Sequence, residues 1–332
     1  MRPAGSPPRR QWLIAAAAAL AVPATGATGA AAAAEVGFPR RPLHLVVAAP
    51  PGGPSDALAR MLADEMGRLL GQPMIIDNKP GAGGLLAAEA VARAPADGHV
   101  LMLSWIGNTT AQTLTPRTGL DIRDDFVHIT QLVAGTNVLV LPPGGERSLA
   151  ELLARARARP GHLSYASAGN ASSGHLAMEM LKQRAGVSLV HVPYRGGAPA
   201  LTDLLAGRVD LMFLNQDAVL PYLPQGRLLA LAVSSRERLA LLPAVPTVAE
   251  CGFPGFQATT WAGLSAPRGT PAAVVRQLYR SARQALQGPM RERQAALGAQ
   301  VIASSPAQFT EFVRHETAQW AGVIRAAGIT AD

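Results

Sequence analysis

A single cysteine, Cys251, occurs in the 332 residues. That excludes an intramolecular disulfide and a cysteine-built zinc site, and the lone thiol is expected to be buried. Aromatic residues make up 5% of the chain and are not interleaved with its arginines. The sequence therefore offers no stacking platform for single-stranded nucleic acid. Catalytic signatures are equally scarce. Gly169-Asn170-Ala171-Ser172-Ser173-Gly174 resembles G-x-S-x-G only superficially, because Gly169 lies one residue too far from Ser172. His315-Glu316 opens like H-E-x-x-H, but Gln319 stands where the second histidine belongs. No G-x-x-x-x-G-K-S/T phosphate loop is present. His44, His99, His128, His162, His175 and His191 are scattered without metal-ligand spacing. No catalytic residue, metal or cofactor is expected, and no short repeat suggests a solenoid.

Long apolar runs are also missing. Trp12–Val22 is too short to span a bilayer and is followed by Pro23. Behind Arg2, Arg9 and Arg10, and before the small residues Ala32-Ala33-Ala34, that run has the layout of an export signal covering residues 1–34. Arg9-Arg10-Gln11-Trp12-Leu13-Ile14 is compatible with the twin-arginine route, and Sec export fits nearly as well. The mature protein, from Glu35, is expected in the periplasm. Its formal charge falls from +8 to +5 once those three arginines are set aside. The remaining arginines are dispersed. The alternating Arg155, Arg157 and Arg159 read as a solvated helix face, and nucleic acid is not an expected partner.

What the chain does contain is a repeated strand–turn–helix pattern. The apolar run His44–Ala49 empties into Pro50-Pro51-Gly52-Gly53-Pro54, and Ser55 and Asp56 then open a helix with Leu58, Leu62, Met66 and Leu69 at helical spacing. Such a junction aims unpaired N–H groups and the positive end of a helix dipole at one spot, which suits an anion. The same junction is also common as plain punctuation. Leu163–Ala166 repeats it, running through Ser167-Ala168-Gly169-Asn170-Ala171-Ser172-Ser173 into a helix with Leu176, Met180 and Leu181. Asn170, Ser172 or Ser173 could serve there as a simple N-cap. Pro80–Gly84 is a third glycine turn before a helix. His175, in a first helical turn, reads as a ligand contact or as a structural residue. The strand-like runs Met74–Ile76, Val100–Leu103, Thr136–Leu141, Leu189–Val192, Val209–Phe213 and Leu228–Val233 alternate with helical stretches. That alternation predicts parallel α/β sheets with helices on both faces.

Several motifs together carry a family resemblance. Arg41-Pro42-Leu43 with Val46–Asp56, Asp77-Asn78-Lys79-Pro80-Gly81-Ala82-Gly83-Gly84 and Pro95-Ala96-Asp97-Gly98 occur in order. Leu163–Asn170, His191-Val192-Pro193-Tyr194-Arg195-Gly196, Leu201–Gly207, Pro243–Glu250 and Trp261-Ala262-Gly263-Leu264 follow. Across essentially the whole mature chain this resembles the Bug-type receptors of tripartite tricarboxylate transporters. The resemblance implies a two-lobed periplasmic-binding-protein type 2 (Venus-flytrap) α/β fold with two crossing strands. One lobe would comprise 35–135 plus 261–332, and the other 136–260. It implies a small carboxylate ligand held between the lobes, and a monomer serving membrane transporter subunits or, as the alternative, a sensor-kinase ectodomain. An exported enzyme is the remaining alternative. Carried over by motif, the ligand contacts are Gly52, Gly53, Ser55, Asp56, Gly83 and Gly84 from the first lobe. Ser167, Gly169, Asn170, Ser172, Ser173 and Asn215 come from the second. Three departures bear on specificity. Ala49 replaces the usual Phe and widens one wall, Pro54 removes an N–H, and Leu214 stands where an acid is usual. Asp217 either replaces that acid or caps a helix.

Overall fold

The computed structural model describes residues 37–331; the signal-peptide reading falls outside them. Strand β1 (Leu43–Val47) leads into helix α1 (Pro54–Leu70). Gly53 enters α1 with extended backbone, Pro54 occupies its first turn and Gly71 ends it in the left-handed region, the usual use of both residue types. Leu58, Ala59, Leu62, Ala63 and Met66 form its buried stripe, each large side chain contributing roughly 1.5–3 kcal/mol by leaving water. Then come β2 (Met74–Asn78), α2 (Leu85–Ala92), β3 (Val100–Trp105) and α3 (Ile106–Leu114). The 16-residue strand β4 (Phe126–Leu141) follows, then α4 (Leu149–Ala158), β5 (Ser164–Ser167), α5 (Ser173–Ala185) and β6 (Val190–Pro193). The chain continues through α6 (Gly197–Leu205), β7 (Leu211–Asn215), the one-turn α7 (Gln216–Val219) and β8 (Leu229–Val233). It closes with β9 (Thr259–Pro267), α8 (Ala272–Ala285), α9 (Pro289–Ala296), β10 (Gln300–Val301) and α10 (Pro306–Ala327).

The strands follow the order β2-β1-β3-β9-β4-β7-β5-β6, with β8 and β10 also paired to β4. The flanks are parallel: β2, β1 and β3 on one side, β6, β5 and β7 on the other. The centre is antiparallel, so the sheet is mixed rather than wholly parallel as the alternation had suggested. Strand β4 pairs with β9 from Phe126 to Thr136 and with β7 from Asn137 to Val140. One continuous strand thus passes from the first parallel flank to the second, and β9 crosses beside it. This is the two-lobed architecture with two crossing strands that the resemblance implies.

Helix α10 joins the two halves. Ser305 and Gln308 form a capping box at its start, satisfying two end donors reciprocally. Its Phe309, Trp320, Val323 and Ile324 belong to one core that contains Val46 and Met102 from the first flank and Tyr165, Leu176 and Phe213 from the second. Gly263 on β9 is required by this packing, since a Cβ there would stand 2.1 Å from the Phe309 ring. Gln183 Nε2 on α5 donates to the Val323 carbonyl at 3.1 Å. Cys251 is only half-buried, less covered than the composition suggested.

Candidate ligand-binding site

In an open α/β sheet the crevice lies beyond the carboxyl ends of parallel strands, where helix N-termini gather. Here β1, β3 and β7 send their ends toward one cleft of about 390 Å³, and helix α5 beyond β5 reaches it too. Its lining includes Ala49 and Ser55 from the β1–α1 junction, Trp105 and Ile106 from β3–α3, Ser173 at the start of α5, and Asn215, Gln216 and Asp217 from β7–α7. Thr260 and Trp261 of β9 and Arg293, Gln294 and Leu297 around α9 complete it. A second cavity of about 310 Å³ borders β4 at Gln131 and Thr136 and the loop Ser235–Leu239. No strand-to-helix junction opens into that one, so the first cleft has the chemistry of a binding site.

No side chain caps α1 or α5 at its N-terminus. The first-turn N–H groups beyond Pro54 and Ser172 are therefore left for a ligand or water. Ser173 Oγ donates to Asn137 Oδ1 at 3.2 Å and lies 3.5 Å from Asn215 Oδ1. That fixes the hydroxyl where α5 and β7 meet. Ser172 Oγ is buried with no partner among the described residues, so an acceptor or donor is wanted beside it.

Ser55, Ser173 and Asn215 are thus brought together on one cleft. The remaining candidates support its walls. Asp56 is 2% exposed. Its carboxylate accepts from the Gly52 N–H at 2.9 Å, from Arg60 Nε and Nη2 at 2.9 and 3.1 Å, and from Asn78 Nδ2 at 3.0 Å. Arg60 first, and then the Gly52 N–H and Asn78, hold its carboxyl far below the usual range. Its side chain is a clamp for the Pro50–Pro54 turn and does not line the cleft, and the Gly52 N–H is consumed in the same clamp. Gly53 is the N-cap of α1. Gly83 and Gly84 adopt φ of +63° and +97°, and Gly84 lies behind Trp105. A Cβ on Gly84 would stand 2.8 Å from Trp105 Nε1, so that glycine lets the indole form the wall.

On the second side Ser167 is fully buried, its Oγ bonded to His191 Nε2 at 2.6 Å. The same oxygen accepts from the Gly169 N–H at 3.2 Å. Both residues shape the loop from inside it, and neither lines the cleft. Gly169 has φ of +121°, and half-buried Asn170 follows it in the turn. His175 is structural: its Nδ1 accepts from the Ala171 N–H at 3.0 Å, and its ring stacks on His191 at 3.8 Å. Burial first, and then the nearby His191 and Lys182, push its pKa down to about 3.

The sequence reading missed Trp105, Thr260, Arg293 and Gln294. Trp105 ends an apolar run followed by Gly107 and Asn108, the same junction pattern as β1–α1. Nothing local marks Arg293. Asp217 stands in the first turn of α7 and lines the cleft. Burial pushes its carboxyl up, against the backbone N–H groups at the start of that helix.

The profile of the family described as tripartite tricarboxylate transporter family receptor matches residues 58–329. Protein BugT of Bordetella pertussis is 38% identical over 295 residues, covering 88% of this chain and 90% of BugT. Among solved structures, R. palustris Rpa4515 with adipate superposes with a TM-score of 0.77 at 36% identity, covering 88% of this chain and 99% of that one. MatC from Rhodopseudomonas palustris with bound malate gives 0.75 at 34% identity, over 86% of this chain and 100% of MatC. Among the described residues no helix is long and apolar enough to cross a membrane.

Proposed function

We propose, for a chain that belongs to the family of tripartite tricarboxylate transporter receptors, that its cleft captures a small carboxylate in the periplasm and presents it to membrane transporter subunits. The family consists of solute-binding receptors, not enzymes. The observation that carries the ligand reading is the convergence of two side-chain-free helix N-termini, with Ser55, Ser173 and Asn215, on one cleft. Adipate and malate in two structural relatives support an acid as the ligand. Residues 35–135 with 261–332 form one lobe of this scheme and 136–260 the other. The hinge lies where β4 changes partner between Thr136 and Asn137. Gln216 sits at that point. Its Oε1 accepts from the Thr136 N–H, and its Nε2 donates to the Leu297 carbonyl at 3.3 Å.

Closing the lobes removes water from the carboxylate and strengthens each charge-assisted N–H···O bond. A ligand shifts the receptor toward the closed form only by its preference for that form. Gly53, Gly83, Gly84 and Asn170 shape the loops in this account, and Ser172 contributes its unpartnered hydroxyl. Replacing Ser172 and Ser173 together with alanine is expected to weaken acid binding at least tenfold, about 1.4 kcal/mol, with folding nearly intact. Calorimetry that returns an unchanged affinity would remove both from the site.

A further inference from the structure

The cleft lining holds a single cation, Arg293, and a single anion, Asp217, among the described residues. Apolar side chains dominate the rest of the lining. Ser55, Leu58 and Met61 follow one face of α1 into the cleft, a strip about 9 Å long at 1.5 Å per residue. Trp105, Trp261 and Leu297 line the cleft with that strip. Such a wall suits the hydrocarbon body of a ligand, with the buried Trp105 Nε1, which has no partner among the described residues, as a neutral donor on it. Arg293 stands on α9, which is fixed beside the β7–α7 junction by the hydrogen bond from Gln216 to Leu297, four residues on. The Arg293 side chain has no carboxylate partner in an ion pair among the described residues. Its guanidinium is therefore available as a two-pronged donor matched to carboxylate geometry.

We propose that Arg293 is the specificity-determining residue of this cleft, taking the distal carboxylate of a diacid whose first carboxylate sits at the helix N-termini. This rests on the carboxylate reading given above and adds the ligand class: a dianion with an apolar spacer. A monoacid of the same length leaves Arg293 unused.

The test is titration calorimetry of the full mature chain with adipate and with hexanoate, which share a six-carbon skeleton and differ by one carboxylate. The unaltered protein is expected to prefer adipate at least tenfold. In Arg293→Gln that ratio is expected to collapse to within about threefold, and in Arg293→Lys to keep part of its value, since the charge persists without the fork. A preference that survives Arg293→Gln, or equal affinities in the unaltered protein, overturns the role of Arg293 and leaves the carboxylate reading standing. Absence of binding by any mono- or dicarboxylate overturns both. Circular dichroism melting of each variant separates a lost preference from a lost fold.

Discussion

Glu316 offers a perturbation whose size follows from geometry. It lies on α10 with 4% exposure, and its Oε2 accepts from two indoles at once, Trp261 Nε1 at 3.0 Å and Trp320 Nε1 at 2.9 Å. Replacing it with alanine strands two buried N–H donors at the seam between β9 and α10. Each costs about 1–3 kcal/mol, and a small cavity adds to that. Glutamine keeps one carbonyl oxygen for both indoles and removes the buried charge. Burial pushes the Glu316 carboxyl up, more than the two indoles lower it. Because its folded pKa is raised, the native state holds the proton more tightly than the unfolded chain does. Its contribution is then greatest below the ordinary carboxylate range and is lost as pH rises through the folded pKa. Urea unfolding at neutral pH should therefore place Glu316→Gln within about 1 kcal/mol of the unaltered protein. Glu316→Ala should fall roughly 2–6 kcal/mol below the glutamine variant. The advantage of glutamate over glutamine should shrink as pH rises from the acid side. An alanine variant as stable as the glutamine one would refute the reasoning, since the indoles would then not depend on this oxygen.

Three further outcomes follow from the same contacts. Gly84→Ala should cost roughly 1–3 kcal/mol, from a left-handed backbone and a Cβ against the Trp105 indole, and should weaken acid binding by displacing that wall. Paired melting and binding curves check both. His128 and His175 are held down to about 4 and about 3, in each case chiefly by burial. The unfolded chain binds protons there first, so stability is complete above about pH 6.5 and falls as pH drops toward 4. His175→Asn should flatten that slope in acid titration followed by tryptophan fluorescence. Asn78→Ala should leave Asp56 without one clamp and release the Ala49 carbonyl. It should weaken ligand affinity more than it lowers the melting midpoint.

Much of the fold is written locally. The run Leu43–Val47, then glycines and Pro54, then Leu58, Leu62 and Met66 at helical spacing, reads directly as β1, turn and α1. The β5–α5 unit reads in the same way. The centre of the sheet does not. Strand β4 begins at Phe126, ten residues before the run Thr136–Leu141 that marks it. It is buried on both faces for most of its length, so it lacks the alternation that signals a strand. Strand β9 is held between β3 and β4, and its motif was visible only as a family signature. The site divides along the same line. Ser55, Ser173 and Asn215 were legible because each stands at a strand-to-helix junction. Asp56 and Ser167 stand at such junctions too, yet their side chains turn inward: Asp56 meets Arg60 one helical turn on, but its bond to Asn78 and that of Ser167 to His191 need partners that only the tertiary fold supplies. Arg293 comes from a short, polar helix whose sequence carries no sign of the cleft it borders.

The most direct measurement is the melting midpoint of the chain from Glu35 on, against mono-, di- and tricarboxylates, amino acids and neutral sugars. A ligand at about a hundred times its dissociation constant adds roughly 2.7 kcal/mol, which raises the midpoint by at least about 2 °C in a chain of this size. The account predicts a saturable rise with one or a few carboxylates, absent with neutral sugars and reduced in the Ser172/Ser173 double-alanine variant. A rise confined to uncharged solutes, or one untouched by that double substitution, would contradict it.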